Sequence, residues 1–360
     1  MMKTLPKIGF VGAGFFCQQA HLETFSKLSS CQIVAIAEHK ENRRQLVAKR
    51  YHAEAFCDVK DMLASSDVDG VVVVVNGRHT ASVVRECLAA GKHVLSEKPM
   101  AHTVAQGESL VQLAEERDAH YVVGFMKRYD AGVRCAKRII EQFRKSGELG
   151  NITYVRAHCF LGDPYQGANG HIDSGERASI SPVEGLPIIP TWLSAELRED
   201  YGWFLNRYSH SVNLQRFLLG DFGRILLSQP LVGKGRLVVL EFGGIPVTLE
   251  AGQLQSDRWN EHVEVFFERG RLRLELPPPI LRNVSARVKI WKKGSHGEEY
   301  FEPVVAPSWS FACQAAEFIQ TISETGESVS SGKDSLQDLL IIEELWRPEA
   351  EHASTKQRIT

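Results

Sequence analysis

Three groups of residues have the types and spacing to do chemistry. Glu97-Lys98-Pro99 ends an apolar run, and adjacent opposite charges before a proline suit neither a helix nor the middle of a strand. The triplet reads as a strand delivering Glu97 and Lys98 to an edge. An open α/β sheet has its ligand crevice at that edge, which makes Lys98 a candidate for charge stabilisation. An ion pair closing a turn is the alternative that the local residues leave open. Gly12-Ala13-Gly14-Phe15-Phe16-Cys17 has the glycine spacing of a phosphate-cradling loop. Asn206, His210 and Asn213, at i, i+4 and i+7, form one polar stripe on a helical pattern whose other faces are largely apolar. Such a stripe either satisfies internal hydrogen bonds or lines a polar cavity.

The elements around the glycines favour a dinucleotide site. Lys7 to Val11 is a short β run, a helical pattern follows through about Leu28, and a second strand, Gln32 to Ala37, ends in Glu38. Gly12 permits the tight turn, Gly14 lets backbone approach a pyrophosphate, and Cys17 is small enough for the third position. An acidic residue placed like Glu38 accepts hydrogen bonds from a ribose 2'-hydroxyl, which favours NAD. His39, Lys40, Arg43 and Arg44 keep NADP open as the alternative. Val71 to Val75 reads as a strand covered on both faces, Asn76-Gly77-Arg78-His79 as the loop at its carboxyl end, and Ala81 to Ala90 as a helix. A helix over Val104 to Arg117 and a strand over His120 to Phe125 complete a parallel, right-handed α/β pattern. The expected first domain is a Rossmann fold.

The chain has 360 residues, 43% hydrophobic and 24% charged, with a formal charge of -2. That balance gives no reason to expect nucleic acid or an anionic membrane surface, and leaves a small molecule as the expected partner. No run approaches the roughly 18 apolar residues of a membrane span and no signal-peptide core is visible, so the cytoplasm is the expected location. The seven cysteines lack C-x-x-C spacing and read as reduced core residues. His171 and Asp173 are only two possible ligands, and no metal is expected.

After a helix over Gly132 to Ser146 the register changes. Strands are predicted over Ile152 to Phe160, Arg224 to Val232, Arg236 to Phe242, Val247 to Gln253, Glu261 to Glu268 and Arg271 to Leu276. Short glycine-containing links make them largely antiparallel, an open sheet covered on one face by helices such as Tyr201 to Leu219. The expected division is residues 1–127 for the Rossmann domain, 128–348 for an α+β substrate-binding and oligomerisation domain, and 349–360 for a polar tail. A long irregular insertion, about Gly162 to Asp200, is expected to cover the substrate cleft, with Tyr165 as a substrate-binding candidate.

Gly12-Ala13-Gly14, Asn76-Gly77-Arg78-His79, Ala90-Gly91-Lys92-His93-Val94-Leu95 with Glu97-Lys98-Pro99, and Gly147-Glu148-Leu149-Gly150 together resemble the Gfo/Idh/MocA oxidoreductases, over nearly the whole chain. The resemblance implies that Lys98 faces both nicotinamide and substrate, with a cis Lys98-Pro99 peptide. It implies dinucleotide contacts at Gly12, Gly14, Phe15, Phe16, Glu38, Asn76, His79, Glu97 and Lys98. It makes His210 a proton-transfer residue and Arg128 and Asn213 substrate-binding candidates, and it implies a homo-oligomer, dimer or tetramer. The chain departs from the family's Asp-x-x-x-His: Asn206 precedes His210, and an amide positions a hydroxyl but takes no proton. The expected activity is NAD(P)-dependent hydride transfer with a secondary alcohol or ketone of a sugar, glycoside or cyclitol. The alternatives are redox-assisted glycoside cleavage or elimination with retained NAD, and a non-catalytic dinucleotide sensor.

Overall fold

The computed structural model describes residues 4–176, 187–220, 222–255, 258–323 and 326–347. The expected tail, 349–360, and the middle of the insertion, 177–186, lie outside the described residues. The chain forms two compact units that interleave along the sequence. One takes residues 1–125, 168–190 and 311–339, the other 126–167, 191–310 and 340–360. The division at 127 therefore understates the first unit, which also draws on a piece of the insertion and on a late helix.

In the first unit β1 (Lys7–Val11) leads through a π-helical turn, Cys17–Leu22, into α1 (Glu23–Phe25). There follow β2 (Gln32–Ala37), α2 (Glu41–Tyr51), β3 (Glu54–Phe56), α3 (Val59–Ser65), β4 (Gly70–Val73), α4 (Gly77–Ala89), β5 (His93–Ser96), α5 (Val104–Glu116) and β6 (Tyr121–Val123). The six strands pair in the order β3-β2-β1-β4-β5-β6, with parallel ladders throughout. All four residues of β4 are buried, as its β-branched run requires. The strand stops at Val73, two residues before the apolar run does; the Val74 amide still donates to the Val11 carbonyl at 2.9 Å, and Val74 and Val75 line a cavity at the carboxyl end. Ile8, Phe10 and Ile36 are fully buried in the core, each contributing about 1.5–3 kcal/mol by leaving water.

The second unit contains α6 (Ala131–Ser146), β7 (Ile152–Leu161), α7 (Arg198–Leu219), β8 (Phe222–Leu231), β9 (Gly235–Phe242), β10 (Ile245–Gln253), β11 (Asn260–Phe267), β12 (Gly270–Glu275), β13 (Arg287–Gly294) and β14 (Gly297–Phe301). Asp130 caps α6 by accepting from the Gly132 and Val133 amides, and Gly147 ends it with φ 67°. The eight strands run β14-β13-β12-β11-β7-β10-β9-β8, so the sheet is two strands wider than the sequence patterns predict. β7 and β10 pair in parallel and the other pairs are antiparallel, so the sheet is largely antiparallel, as expected. Apolar residues alternate on one face, among them Val155, Ala157, Val238, Leu240, Val263 and Val265. The last helices are α8 (Ser310–Ser323) and α9 (Gly332–Leu345). Among the described residues no helix is long and apolar enough to cross a membrane.

Candidate functional site

The strand order turns at β1, whose neighbours are β2 on one side and β4 on the other, and a parallel sheet opens its crevice at such a point. Gly12 sits there with φ 88°, and a Cβ on it would lie 2.2 Å from the Val74 carbonyl oxygen. Only glycine fits that close approach. Gly14 is the opposite case: a Cβ there would meet nothing within 4 Å, so its backbone faces open space. Beside the two glycines lies a cavity of about 560 Å³, lined also by Glu38, Arg43, Asn76 and His79. Glu38 holds the loop's shape, accepting from the Ala13 amide at 2.9 Å and the Lys40 amide at 3.0 Å. Asn76 caps α4 through the Arg78 amide, and burial, with the charges of His39 and Arg78, pushes the His79 imidazole down from its usual range. A glycine cradle with open backbone, a carboxylate and a helix start on one cavity fits the pyrophosphate and ribose of a dinucleotide.

Phe15 and Phe16 do not line that cavity. Their rings turn to His171, with centroids 4.7 Å apart, and to Phe311, at 5.7 Å. Cys17 fills the small third position, 1% exposed, and burial raises its thiol well above the ordinary range. None of the seven cysteines is in a disulfide, but Cys57 is exposed at the cavity rather than in the core.

β5 delivers Glu97-Lys98-Pro99 to the same carboxyl edge of the sheet as the glycine loop. The Lys98-Pro99 peptide is cis. The Glu97 carboxylate shares a hydrogen with His21 Nε2 at 2.8 Å, both groups being buried, and its second oxygen accepts from the Lys98 amide at 3.2 Å. Gly124 lets the next strand's end close on this turn, since a Cβ there would lie 3.2 Å from Glu97 Oε1. Glu97 thus braces the turn that presents the half-buried Lys98. His21 belongs to the π-helical turn, where Gln18 and Gln19 are also buried. Nothing in its spacing marked it in the sequence.

In the second unit α7 carries the predicted stripe from solvent inward: Asn206 is exposed, His210 half-buried and Asn213 buried. Glu199 and Asp200 in its first turn complement the helix dipole. Arg128 donates from Nε to Asn213 Oδ1 at 2.9 Å, and its guanidinium lies 5.2 Å over the Phe217 ring. Both groups are buried, so this pair fixes the inner end of the stripe. The neighbouring Lys127 pairs with Glu261 in the same buried layer. Tyr165 is 43% exposed on the loop after β7.

Residues 6–125 match the oxidoreductase family with an NAD-binding Rossmann fold. The chain is 32% identical over 309 residues to an inositol 2-dehydrogenase of Burkholderia vietnamiensis, covering 80% of each chain. It is 32% identical over 160 residues to inositol 2-dehydrogenase 3 of Saccharopolyspora erythraea, a match that spans 44% of this chain and 45%, less than half, of that relative. The aldose-aldose oxidoreductase of Caulobacter crescentus, solved with glycerol, has the same fold, with a TM-score of 0.75 at 18% identity over 97% of this chain and 98% of that one. With the glycine cradle, the bracing of Glu97 and the eight-stranded sheet in place, the chain belongs to the Gfo/Idh/MocA family of oxidoreductases.

Proposed function

We propose that the protein is an NAD(P)-dependent dehydrogenase or reductase acting on a secondary alcohol or ketone of a sugar, glycoside or cyclitol. The observation that carries this reading is the open cradle at Gly12 and Gly14, with Lys98 presented at the same edge of the same sheet. A bound nicotinamide supplies the hydride acceptor or donor. The chain's own residues do the rest: the Gly14 backbone and the start of the following helix hold the pyrophosphate, and Glu38 meets the ribose hydroxyls. Lys98 orients the substrate oxygen and stabilises the charge that develops on it. His210, whose residue type titrates near neutral pH, takes the hydroxyl proton during oxidation and returns it during reduction. Asn206 and Tyr165 position substrate hydroxyls, and Arg128 with Asn213 supports His210 from the buried end of its helix. Assembly as a dimer or tetramer belongs to the same reading, as does a reducing compartment such as the cytoplasm, supported by seven cysteines outside any disulfide.

The test is a panel of inositols, sugars, sugar phosphates and glycosides, offered to the purified chain with NAD and then NADP while reduced nicotinamide is followed. Substrate-dependent reduction is expected. Cofactor binding with no reduction across the panel contradicts the dehydrogenase and points to a sensor.

A further inference from the structure

The described start of the insertion, residues 168–176, is carried by the dinucleotide unit. Gln18 holds the Ile172 backbone from both sides, donating to its carbonyl at 3.0 Å and accepting from its amide at 2.7 Å. Gln19 donates to the Asn169 carbonyl at 2.8 Å and Arg50 to that of Gly170 at 3.1 Å. The strap therefore runs past the glycine loop, and its end reaches the first turn of α2. There the Glu176 carboxylate accepts from the Asn42 amide at 3.1 Å and the Arg43 amide at 3.2 Å. Asp173 pairs with the Arg43 guanidinium at 3.3 Å.

Those are the donors that a 2'-phosphate would need. Glu38 ends β2, and the residues after it, His39, Lys40 and Arg43, line the cavity. An adenosine ribose held at Glu38 has its 2'-oxygen toward this turn, where an arginine and free helix amides receive the phosphate of NADP. Here the strap's two carboxylates already occupy the arginine and the amides. We propose that Glu176 and Asp173 act as a built-in substitute for the 2'-phosphate, making this chain selective for NAD through the insertion as well as through Glu38. The inference rests on the dinucleotide reading above and assigns its cofactor preference to the strap. NADP must displace both carboxylates and then sit among three acidic groups, whereas the 2'-hydroxyl of NAD carries no charge to repel.

The test titrates the full chain with NAD, NADP, 5'-AMP and adenosine 2',5'-bisphosphate, comparing wild type with Glu176→Gln and with Glu176→Gln/Asp173→Asn. The isosteric amides leave the strap's anchors at Gln18, Gln19 and Arg50 in place. Wild type is expected to favour NAD by about tenfold or more, and the double variant to shift the NAD/NADP affinity ratio toward NADP by about tenfold. The same shift should appear between the two adenosine probes and shrink as salt is raised. A double variant whose ratio stays within about twofold of wild type overturns the proposal, as does a wild type that binds NADP as tightly as NAD. Absence of binding by all four ligands overturns the dinucleotide reading and this inference with it.

Discussion

The turn that carries Lys98 is held by its neighbours. Its amide is held by Glu97, Glu97 is held by the buried His21, and Gly124 leaves room for the turn. The proton chemistry proposed for α7 is less conventional, because Asn206 is an amide where the resemblance implies a carboxylate. Asn206 is exposed, so Asn206→Asp adds a charge without burying it. We expect it to change turnover or move the pH-rate profile by about one unit, since a carboxylate near His210 favours the imidazolium. A rate and profile identical to wild type would place residue 206 outside the reacting groups. Among single residues, those announced by a motif were legible in the sequence: Gly12, Gly14, Glu38, Asn76 and His79 converge on one cavity. His21 and Glu176 were not, because their partners lie 76 and more than 130 residues away and no local pattern encodes such pairs.

The elements explain why the two loop glycines are not equivalent. Gly12 is confined by the protein, through its positive φ and the Val74 carbonyl; a Cβ on Gly14 would meet none of the described residues within 4 Å. Gly12→Ala is therefore expected to lower folding stability by about 1–3 kcal/mol, read by denaturant unfolding. Gly14→Ala is expected to leave the unfolding midpoint nearly unchanged while weakening NAD binding about tenfold. A Gly14→Ala chain that binds NAD as wild type does would remove the pyrophosphate from this loop. The strong patterns gave their elements to within a few residues: β1, β2, α5 and β7 to β12 fall where periodicity puts them. β3 has only three residues, and β13 and β14 carry charges on much of their length, so neither announces itself as an apolar run.

On the scale of the molecule, the sequence reads as two consecutive domains while the chain builds two interleaved units. Linear patterns cannot show that a segment of an insertion or a late helix returns to pack on an earlier sheet. The eight-stranded sheet also buries groups on its polar face. His262 stacks on His158 with centroids 4.8 Å apart, and His158 in turn hydrogen-bonds Glu250 at 2.7 Å. Burial, together with Arg273 and His158, pushes the His262 imidazole from 6.5 down to about 4; the carboxylate of Glu264 opposes the shift. His102 in the first unit is likewise held near 4, by burial and then by Arg78. Because both are depressed, the unfolded chain takes up protons first as pH falls, so their contribution is full above about pH 6.5 and is lost toward pH 4. Melting temperature should fall over that window, and fall less steeply in His262→Gln; equal slopes would show that His262 is not held neutral by the fold.

The proposed activity turns on the Glu97-braced Lys98 acting on a substrate beside a bound nicotinamide. The most direct measurement compares wild type with Lys98→Ala on whichever panel substrate is oxidised, recording reduced nicotinamide together with NAD affinity in the same preparations. The account predicts turnover lowered by about a thousandfold or more with NAD still bound. Unchanged turnover in Lys98→Ala would contradict it.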